Sequence, residues 1–157
     1  MSTDSPFEIS LFWPADPGQS MPPAAKFSRN NLLSSAGKPV VPAGLPPSYG
    51  GDAGRYDPEE LMIMSLAHCH MLTFLAYAEK KHIVVLRYED QATGTLGRNA
   101  AGKTAMHEVV LRPRVVVAAG TVLEDVTALH EPAHANCFMA NSINFAMRIE
   151  PETIAGA

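Results

Sequence analysis

The chain has 157 residues and a formal net charge of −4, with 46% hydrophobic and 18% charged residues. That length suits one domain, and that composition is ordinary for a globular protein that buries a core. No cluster of lysine and arginine stands out, which argues against a nucleic-acid surface, because such a surface needs cations to neutralise phosphates. The first residues have no cationic start and no long apolar run, so no signal peptide is predicted and the cytosol is the expected compartment.

Short strands and loops are predicted for the N-terminal part of the chain. The alternating segment 7–14 (FEISLFWP) predicts a strand, and segment 25–35 (AKFSRNNLLSS) is a second strand candidate. The Pro- and Gly-rich segment 37–54 predicts a long irregular connection with one short strand around Val40 and Val41. Connections of that length in a compact domain are often functional.

A long apolar helix is predicted over segment 58–81 (PEELMIMSLAHCHMLTFLAYAEKK). Asp57 is the expected N-cap, Pro58 suits the first helical position, and Glu60 completes a capping box. Positions 61–78 contain no Asp, Glu, Lys or Arg, and these 18 residues barely reach the length of a membrane span. Two histidines and a serine near the centre, with strand-like segments on both sides, indicate a buried core helix rather than a membrane helix.

The second half of the chain predicts two strands, a helical region and a closing strand. Segments 82–96 and 106–118 are rich in β-branched residues and are expected to pair across a turn. Segment 121–143 is predicted to be helical with an interruption at Pro132, and segment 144–151 alternates like a strand. This order indicates an α+β fold, because it does not alternate regularly enough for a doubly wound sheet.

Cys69 lies between His68 and His70 in the middle of the apolar helix. A structural interpretation is that it is a buried small hydrophobe, since apolar surroundings disfavour the thiolate and leave a thiol inert. Reactivity would require a cation brought against the sulfur. The two histidines project about 100° to either side of Cys69, so neither points along the same line. The helical face of Cys69 consists of Met62, Ser65, Leu66, Leu72, Thr73 and Ala76.

Segment 130–134 (HEPAH) matches the zinc-protease pattern H-E-x-x-H. Pro132 removes the amide that would bond to Ala128, which disfavours the unbroken helix that this mechanism needs. No histidine follows His134 as a third ligand, and Glu150 and Glu152 are the remaining candidates for that position. A different zinc site is an alternative that the residue types allow. Its ligands would be Cys69, Cys137 and His134, with His68 or His70.

Two motifs together resemble the OsmC/Ohr family of osmotically inducible and organic-hydroperoxide-resistance proteins. The first is DPEELMIMSLAHCHMLTFLA, and the second, later in the chain, is AHANCFMANSI. The family motif is a helix that opens on Pro-Glu, a cysteine ten residues after that glutamate, and a second cysteine in a later helix. Pro58, Glu59, Cys69 and Cys137 stand at those positions here. The resemblance covers essentially the whole chain.

The resemblance implies a fold, an assembly and an activity. The expected fold is α+β and OsmC-like, one domain over residues 1–157, with antiparallel sheets wrapped around central helices in an intertwined homodimer. The implied activity is a thiol-dependent peroxidase that reduces organic hydroperoxides in oxidative stress defence. It would need no cofactor and would be reduced by a dithiol, such as a lipoyl-type or small thiol. No nucleic-acid or membrane partner is expected.

The resemblance also implies roles for four side chains. Cys69 would attack the peroxide, and Cys137 would resolve the product to a disulfide. Arg29, with Arg55 in reserve, matches the supporting arginine, and Glu59 matches the helix-start glutamate. Two departures place the chain closer to a less characterised branch with a Cys-His-Met pattern. His70 stands where the family usually has an aromatic residue, and Phe138 where classical members have proline.

Helix geometry limits how Glu59 can act on Cys69. The ten residues between them correspond to ~15 Å of rise on a straight helix, so the two side chains cannot touch within one helix. Glu59 must therefore act through an arginine or through another subunit. Glu59 lies about 80° from Cys69 around the axis, while Glu60 falls near the opposite face and suits capping. A guanidinium against Cys69 would stabilise the thiolate and hold the peroxide oxygens.

Three functions follow from these residues. The first is the cysteine-based organic hydroperoxide reductase described above. The second is a non-catalytic module of the same fold that binds a small apolar ligand, with Cys69 as a core residue. The third is a zinc-binding protein that uses Cys69, Cys137 and His134.

Overall fold

The structure is a computed structural model, and it describes residues 7–16 and 27–156. Runs of strands in several small sheets are separated by helices along the described chain, so the predicted mixed α+β class is confirmed. The chain divides into two compact units, Met1–Leu61 and Met62–Ala157. That the two units act together as one domain stays a prediction.

The first unit contains a three-stranded antiparallel sheet. Its strands are β1 (Ser10–Phe12), β2 (Asn31–Ser34) and β3 (Val41–Ala43), in the order β1-β2-β3. All three lie inside segments predicted to hold strands, although residues 25 and 26 of the second segment fall outside the described residues. A short 3₁₀ turn, Pro47–Tyr49, follows in the long connection before the first helix.

Helix α1 (Pro58–Lys80) begins and ends at local signals. The Glu60 amide donates to Asp57 Oδ1 at 2.8 Å and the Asp57 amide donates to Glu60 Oε2 at 3.1 Å, which confirms the predicted capping box. At the other end His82 adopts a left-handed φ of 57°. The Ile83 amide then donates back to the Ala78 carbonyl at 3.0 Å, an arrangement that satisfies carbonyls of the last turn.

Only one face of α1 is buried within the chain. Leu66, His70, Phe74 and Ala78 form that face, at the i, i+4 spacing of a helix. By length and composition α1 could also span a membrane, and 22% of its most apolar stretch is buried. Within this chain, the predicted core helix is therefore covered on one face. The remaining apolar face carries exposed Met62, Met64 and Leu72.

Two three-stranded sheets make up most of the second unit. In each, an antiparallel pair is extended by a parallel strand that returns from the C-terminal region. The buried face of α1 packs against both sheets, with Phe74 on Val115 and Val117 and with Leu66 on Val109. The sheet orders are β4-β7-β9 and β5-β6-β8. The strands are β4 (Val85–Asp90), β5 (Thr93–Arg98), β6 (Thr104–Leu111), β7 (Pro113–Val117), β8 (Ala146–Ile149) and β9 (Glu152–Ala155).

The prediction of two long strands over 82–96 and 106–118 is wrong, because each contains two strands. The first breaks between β4 and β5, and the second breaks between β6 and β7 at Arg112. The two breaks lie side by side, since the Arg112 amide donates to Asp90 Oδ1 at 2.7 Å. At this point both segments pass between the two sheets, from β4 to β5 in the first segment and from β6 to β7 in the second. Strand β9, after Pro151, was not predicted.

Two short helices precede Cys137 in the chain. Helix α2 (Leu123–Ala128) and helix α3 (His130–Ala135) are separated at Leu129. The predicted interruption is confirmed, and Pro132 lies in the first turn of α3, where its missing amide costs nothing. Val126, Leu129 and Ala133 anchor this region in the same core cluster as Phe74.

Candidate active site

The structure brings the two predicted cysteines together within the second unit. Cys69 lies in the middle of α1 and is half-buried, whereas Cys137 follows α3 and is fully buried. Both are free thiols. Burial first, and then a side-chain hydrogen bond with Cys69, raise the pKa of Cys137 to about 11. Two neighbouring thiols of this kind are a candidate pair for a disulfide.

The surroundings of Cys137 hold its sulfur in place. The Ala140 amide donates to Cys137 Sγ at 3.5 Å, and the Cys137 amide donates to the His134 carbonyl at 3.2 Å. Because its pKa is raised, Cys137 is a neutral thiol near pH 7 and a poor initial nucleophile. The more accessible Cys69 is therefore the better candidate to meet a substrate first.

The two candidate arginines, both in the first unit, differ in how strongly they are tethered. Arg55 has an ion pair with Asp52 (Nε to Oδ2, 3.5 Å), and its Nη1 donates to the Asn31 carbonyl at 3.4 Å. Arg29 is exposed and has no ion pair in the described part of the chain. A tethered guanidinium must break contacts before it can serve elsewhere, so this difference favours Arg29.

Arg29 lines a cavity of about 840 Å³ that lies within the first unit. The walls mix aromatic, polar and backbone surfaces, and the guanidinium is the cationic group among them. The other lining residues are Phe27, Ser28, Asn30, Leu45, Tyr49, Gly50, Gly51 and Asp52.

Glu59 is half-buried near the start of α1, and its Oε2 atom is buried without a hydrogen-bond partner among the described residues. A buried carboxylate oxygen is costly to leave unpaired, so this side chain is suited to receive a donor such as a guanidinium. Glu59 and Arg29 form no ion pair in the described ranges. Since both belong to the first unit and both thiols to the second, their joint role stays a prediction.

A pair of buried histidines lies beside the cysteine-bearing segments, and sequence reasoning did not find it. His70 Nε2 and His130 Nδ1 are 2.9 Å apart, and the ring planes differ by 14°. The side chains are 0% and 4% exposed, and the Phe74 ring stacks on His130 at 4.4 Å. A signal was present, since His70 falls four residues from Leu66 and Phe74 on the buried face and a buried imidazole needs a partner.

Both imidazoles are neutral at physiological pH. Burial is the main cause that lowers the pKa of His70 to about 4 and that of His130 to about 4, and for His70 the nearby His130 and His134 act in the same direction. Their far nitrogens, His70 Nδ1 and His130 Nε2, are buried and have no partner among the residues described. A charge on this pair would therefore be poorly solvated.

We expect acid to destabilise the fold through this pair. The unfolded imidazoles bind protons near their ordinary pKa of 6.5, whereas the folded ones bind them only near 4. The unfolded state therefore holds more protons between these values, and stability falls as the pH drops through that window and levels off below it. Each imidazole contributes about 3 kcal/mol to this loss.

Urea unfolding at several pH values between 7 and 4 measures this loss. The double variant His70→Leu/His130→Leu should show a flatter decline than the wild type, and His107→Leu, which removes an exposed imidazole, should decline like the wild type. The same decline in the double variant and the wild type would show that the pair does not cause it.

No group of three His, Cys, Asp or Glu side chains that could bind a metal ion occurs within residues 7–16 and 27–156. The alternative zinc site of Cys69, Cys137 and His134 therefore does not form. The histidines of the HEPAH segment likewise belong to no such group among the described residues.

Known proteins resemble this chain in sequence and in fold. The model of OsmC-like proteins matches residues 50–152. The structure of an OsmC-like protein of unknown function from Vibrio cholerae is 32% identical with a TM-score of 0.84, and the match covers 94% of this chain and 99% of that one. No functionally curated protein matches the chain.

Two organic hydroperoxide resistance proteins share the fold at lower identity. The protein from Elizabethkingia anophelis, solved with thiocyanate bound, is 17% identical with a TM-score of 0.68, and the match covers 98% of this chain and 99% of that one. The protein from Legionella pneumophila is 15% identical with a TM-score of 0.67 and the same coverage. With the family model matched over most of the chain, and with a relative 32% identical over 94% of it, the chain belongs to the OsmC-like protein family.

Proposed function

We propose that this protein is a cysteine-based peroxidase that reduces organic hydroperoxides in the cytosol. The observation that carries the proposal is the placement of the half-buried Cys69 thiol next to the fully buried Cys137 thiol. A half-buried thiol paired with a fully buried one is the arrangement that a two-cysteine peroxidase needs. Family membership and the fold shared with organic hydroperoxide resistance proteins support the same activity.

The reaction divides into three steps whose atoms balance. The Cys69 thiolate attacks the distal peroxide oxygen, so an S–O bond forms and the O–O bond breaks, and the alkoxide takes up a proton to leave as an alcohol. The Cys137 sulfur then attacks the Cys69 sulfur, and hydroxide leaves as water with the Cys137 proton. An external dithiol, of the lipoyl type or a small thiol, reduces the disulfide by two exchanges and is itself oxidised.

Counting free thiols tests this proposal directly. The reduced protein should have two free thiols, and one equivalent of cumene hydroperoxide should remove both and yield one equivalent of alcohol. A non-catalytic module that binds a small ligand would keep both thiols and all of the peroxide, and that result would overturn the proposal. An equal amount of cumyl alcohol, which lacks the O–O bond, is the matched control.

The exposed face of α1 leads us to propose a homodimer. Met62 is 43%, Met64 47% and Leu72 52% exposed, in a helix segment without charged side chains. Apolar side chains gathered on one helix face are typical of a surface that another protein surface covers. A second copy of this helix would supply a matching apolar face.

We expect light scattering at micromolar concentration to give about twice the 16.8 kDa chain mass. Leu72→Glu should shift the mass to that of one chain, because a buried unpaired charge opposes association. Glu79→Gln, at an exposed polar position of the same helix, is the control. A wild-type protein with the mass of a single chain would contradict the homodimer.

A further inference from the structure

Two side-chain hydrogen bonds join the cysteine-bearing parts of α1 and the α3 region. One is His70 Nε2 to His130 Nδ1 at 2.9 Å, and in the other Asn136 Nδ2 donates to Tyr77 Oη at 2.9 Å. Each bond lies next to a cysteine in the sequence, because His70 follows Cys69 and Asn136 precedes Cys137. Among the described residues, these are the two side-chain to side-chain hydrogen bonds that join the two regions, the cysteine thiols aside.

The α3 region needs such contacts to hold its position. Helix α3 has only six residues, and a helix of this length has little stability of its own. The His70–His130 bond is buried, where water does not compete, and removal of one imidazole would leave its partner unpaired at a cost larger than that of the bond itself. The Asn136 side chain also donates to the Pro132 carbonyl at 2.9 Å, and this second bond orients the amide group toward Tyr77.

We propose that the His70–His130 and Tyr77–Asn136 hydrogen bonds form a clamp that positions Cys137 against Cys69. The clamp sets the effective concentration of one thiol toward the other. This inference rests on the proposed function for its place in a catalytic cycle, but disulfide closure itself can be measured with any thiol oxidant. The four clamp residues are positioning residues, since none of them exchanges atoms with the sulfurs.

The clamp matters most in the second step of the cycle. Once Cys69 is a sulfenic acid, the Cys137 sulfur must meet it before a second peroxide oxidises it to the irreversible sulfinic acid. Two reacting groups that are held close together have a high effective concentration toward each other, and a small displacement of one group lowers it strongly. Loosening the clamp should therefore slow closure and raise over-oxidation, while the first attack on peroxide stays unchanged.

Three variants distinguish the effect of losing a clamp hydrogen bond from the effect of a general loss of stability. Tyr77→Phe removes only the hydroxyl that accepts from Asn136, and His130→Leu removes the imidazole partner of His70. His130→Asn keeps an amide group close to the position of Nδ1 and should restore the bond. The control is Val126→Ala, which removes packing from the core cluster that contains Phe74 and Ala133 and leaves both hydrogen bonds in place.

Equilibration of each variant with reduced and oxidised glutathione measures the effective concentration of the two thiols. Glutathione disulfide is the oxidant, and two glutathione thiols are released for each protein disulfide formed. We expect Tyr77→Phe to lower the effective concentration about fivefold and His130→Leu roughly tenfold or more. His130→Asn and Val126→Ala should stay within about twofold of the wild type. Wild-type values in both Tyr77→Phe and His130→Leu would overturn the clamp.

A peroxide experiment tests the same inference within the cycle. An excess of cumene hydroperoxide over protein is added in the presence of a dione that traps sulfenic acid, so that a second peroxide is available for over-oxidation. Clamp variants should lose the Cys69 thiol as fast as the wild type but give more trapped product and more sulfinic acid, and an unchanged trapped fraction would count against the clamp. If the wild type consumes no peroxide, the proposed function fails, and the glutathione measurement still decides whether the clamp exists.

Discussion

Replacing Cys69 with serine is expected to abolish peroxide consumption. A serine hydroxyl stays protonated at neutral pH and does not attack the O–O bond, and Cys137 cannot substitute for it. Cys137 is buried and its pKa is raised to about 11, so little thiolate is present and the substrate does not reach it. Consumption of cumene hydroperoxide with excess dithiol should fall to the rate without protein.

Cys137→Ser is the matched variant and should behave differently. It retains the attacking sulfur, so it should consume about one equivalent of peroxide and then stop as a sulfenic or over-oxidised product at Cys69. Mass spectrometry of the protein after one equivalent identifies that product. Full turnover of Cys137→Ser with a dithiol would show that the two-cysteine cycle is wrong.

Local signals in the sequence were sufficient for the features that depend on neighbouring residues. The start of α1 follows from Asp57 and Glu60, whose side chains satisfy each other's amides without help from the rest of the chain. The break before α3 follows from Pro132 in the same way. The pairing of Cys69 with Cys137 was predicted from a family motif rather than from local chemistry, because only the fold brings these residues together.

Features that depend on distant residues, and for which no family motif was matched, could not be predicted. The division of the long strands at Arg112 reflects a bond to Asp90, and the β-branched runs on either side give no sign of it. The His70–His130 pair joins positions 60 residues apart, so an isolated sequence shows two unrelated histidines. Composition likewise indicates that α1 is a core helix, but it does not identify the side chains that cover each face.

Arg29 and Glu59 carry the remaining large prediction, which concerns how Cys69 becomes a thiolate. Arg29→Met is expected to lower the thiolate fraction of Cys69 at neutral pH and to slow its reaction with hydroperoxide by about 100-fold or more. The physical reason is that an apolar helix face disfavours a negative sulfur unless a cation reaches it. The sheet of the first unit should remain folded, because Arg29 is exposed and has no ion pair among the described residues.

Glu59→Gln should weaken the same step less, since the guanidinium remains but loses the carboxylate that orients it. A long arginine side chain gives up rotamer entropy when it is fixed, and a bidentate carboxylate offsets that loss. The measurements are the pH dependence of Cys69 alkylation and the rate of peroxide reduction in each variant. Arg55→Met is the matched control, because its guanidinium is already committed to Asp52 and Asn31. An unchanged alkylation profile in Arg29→Met, with a shifted one in Arg55→Met, would move the supporting role to Arg55.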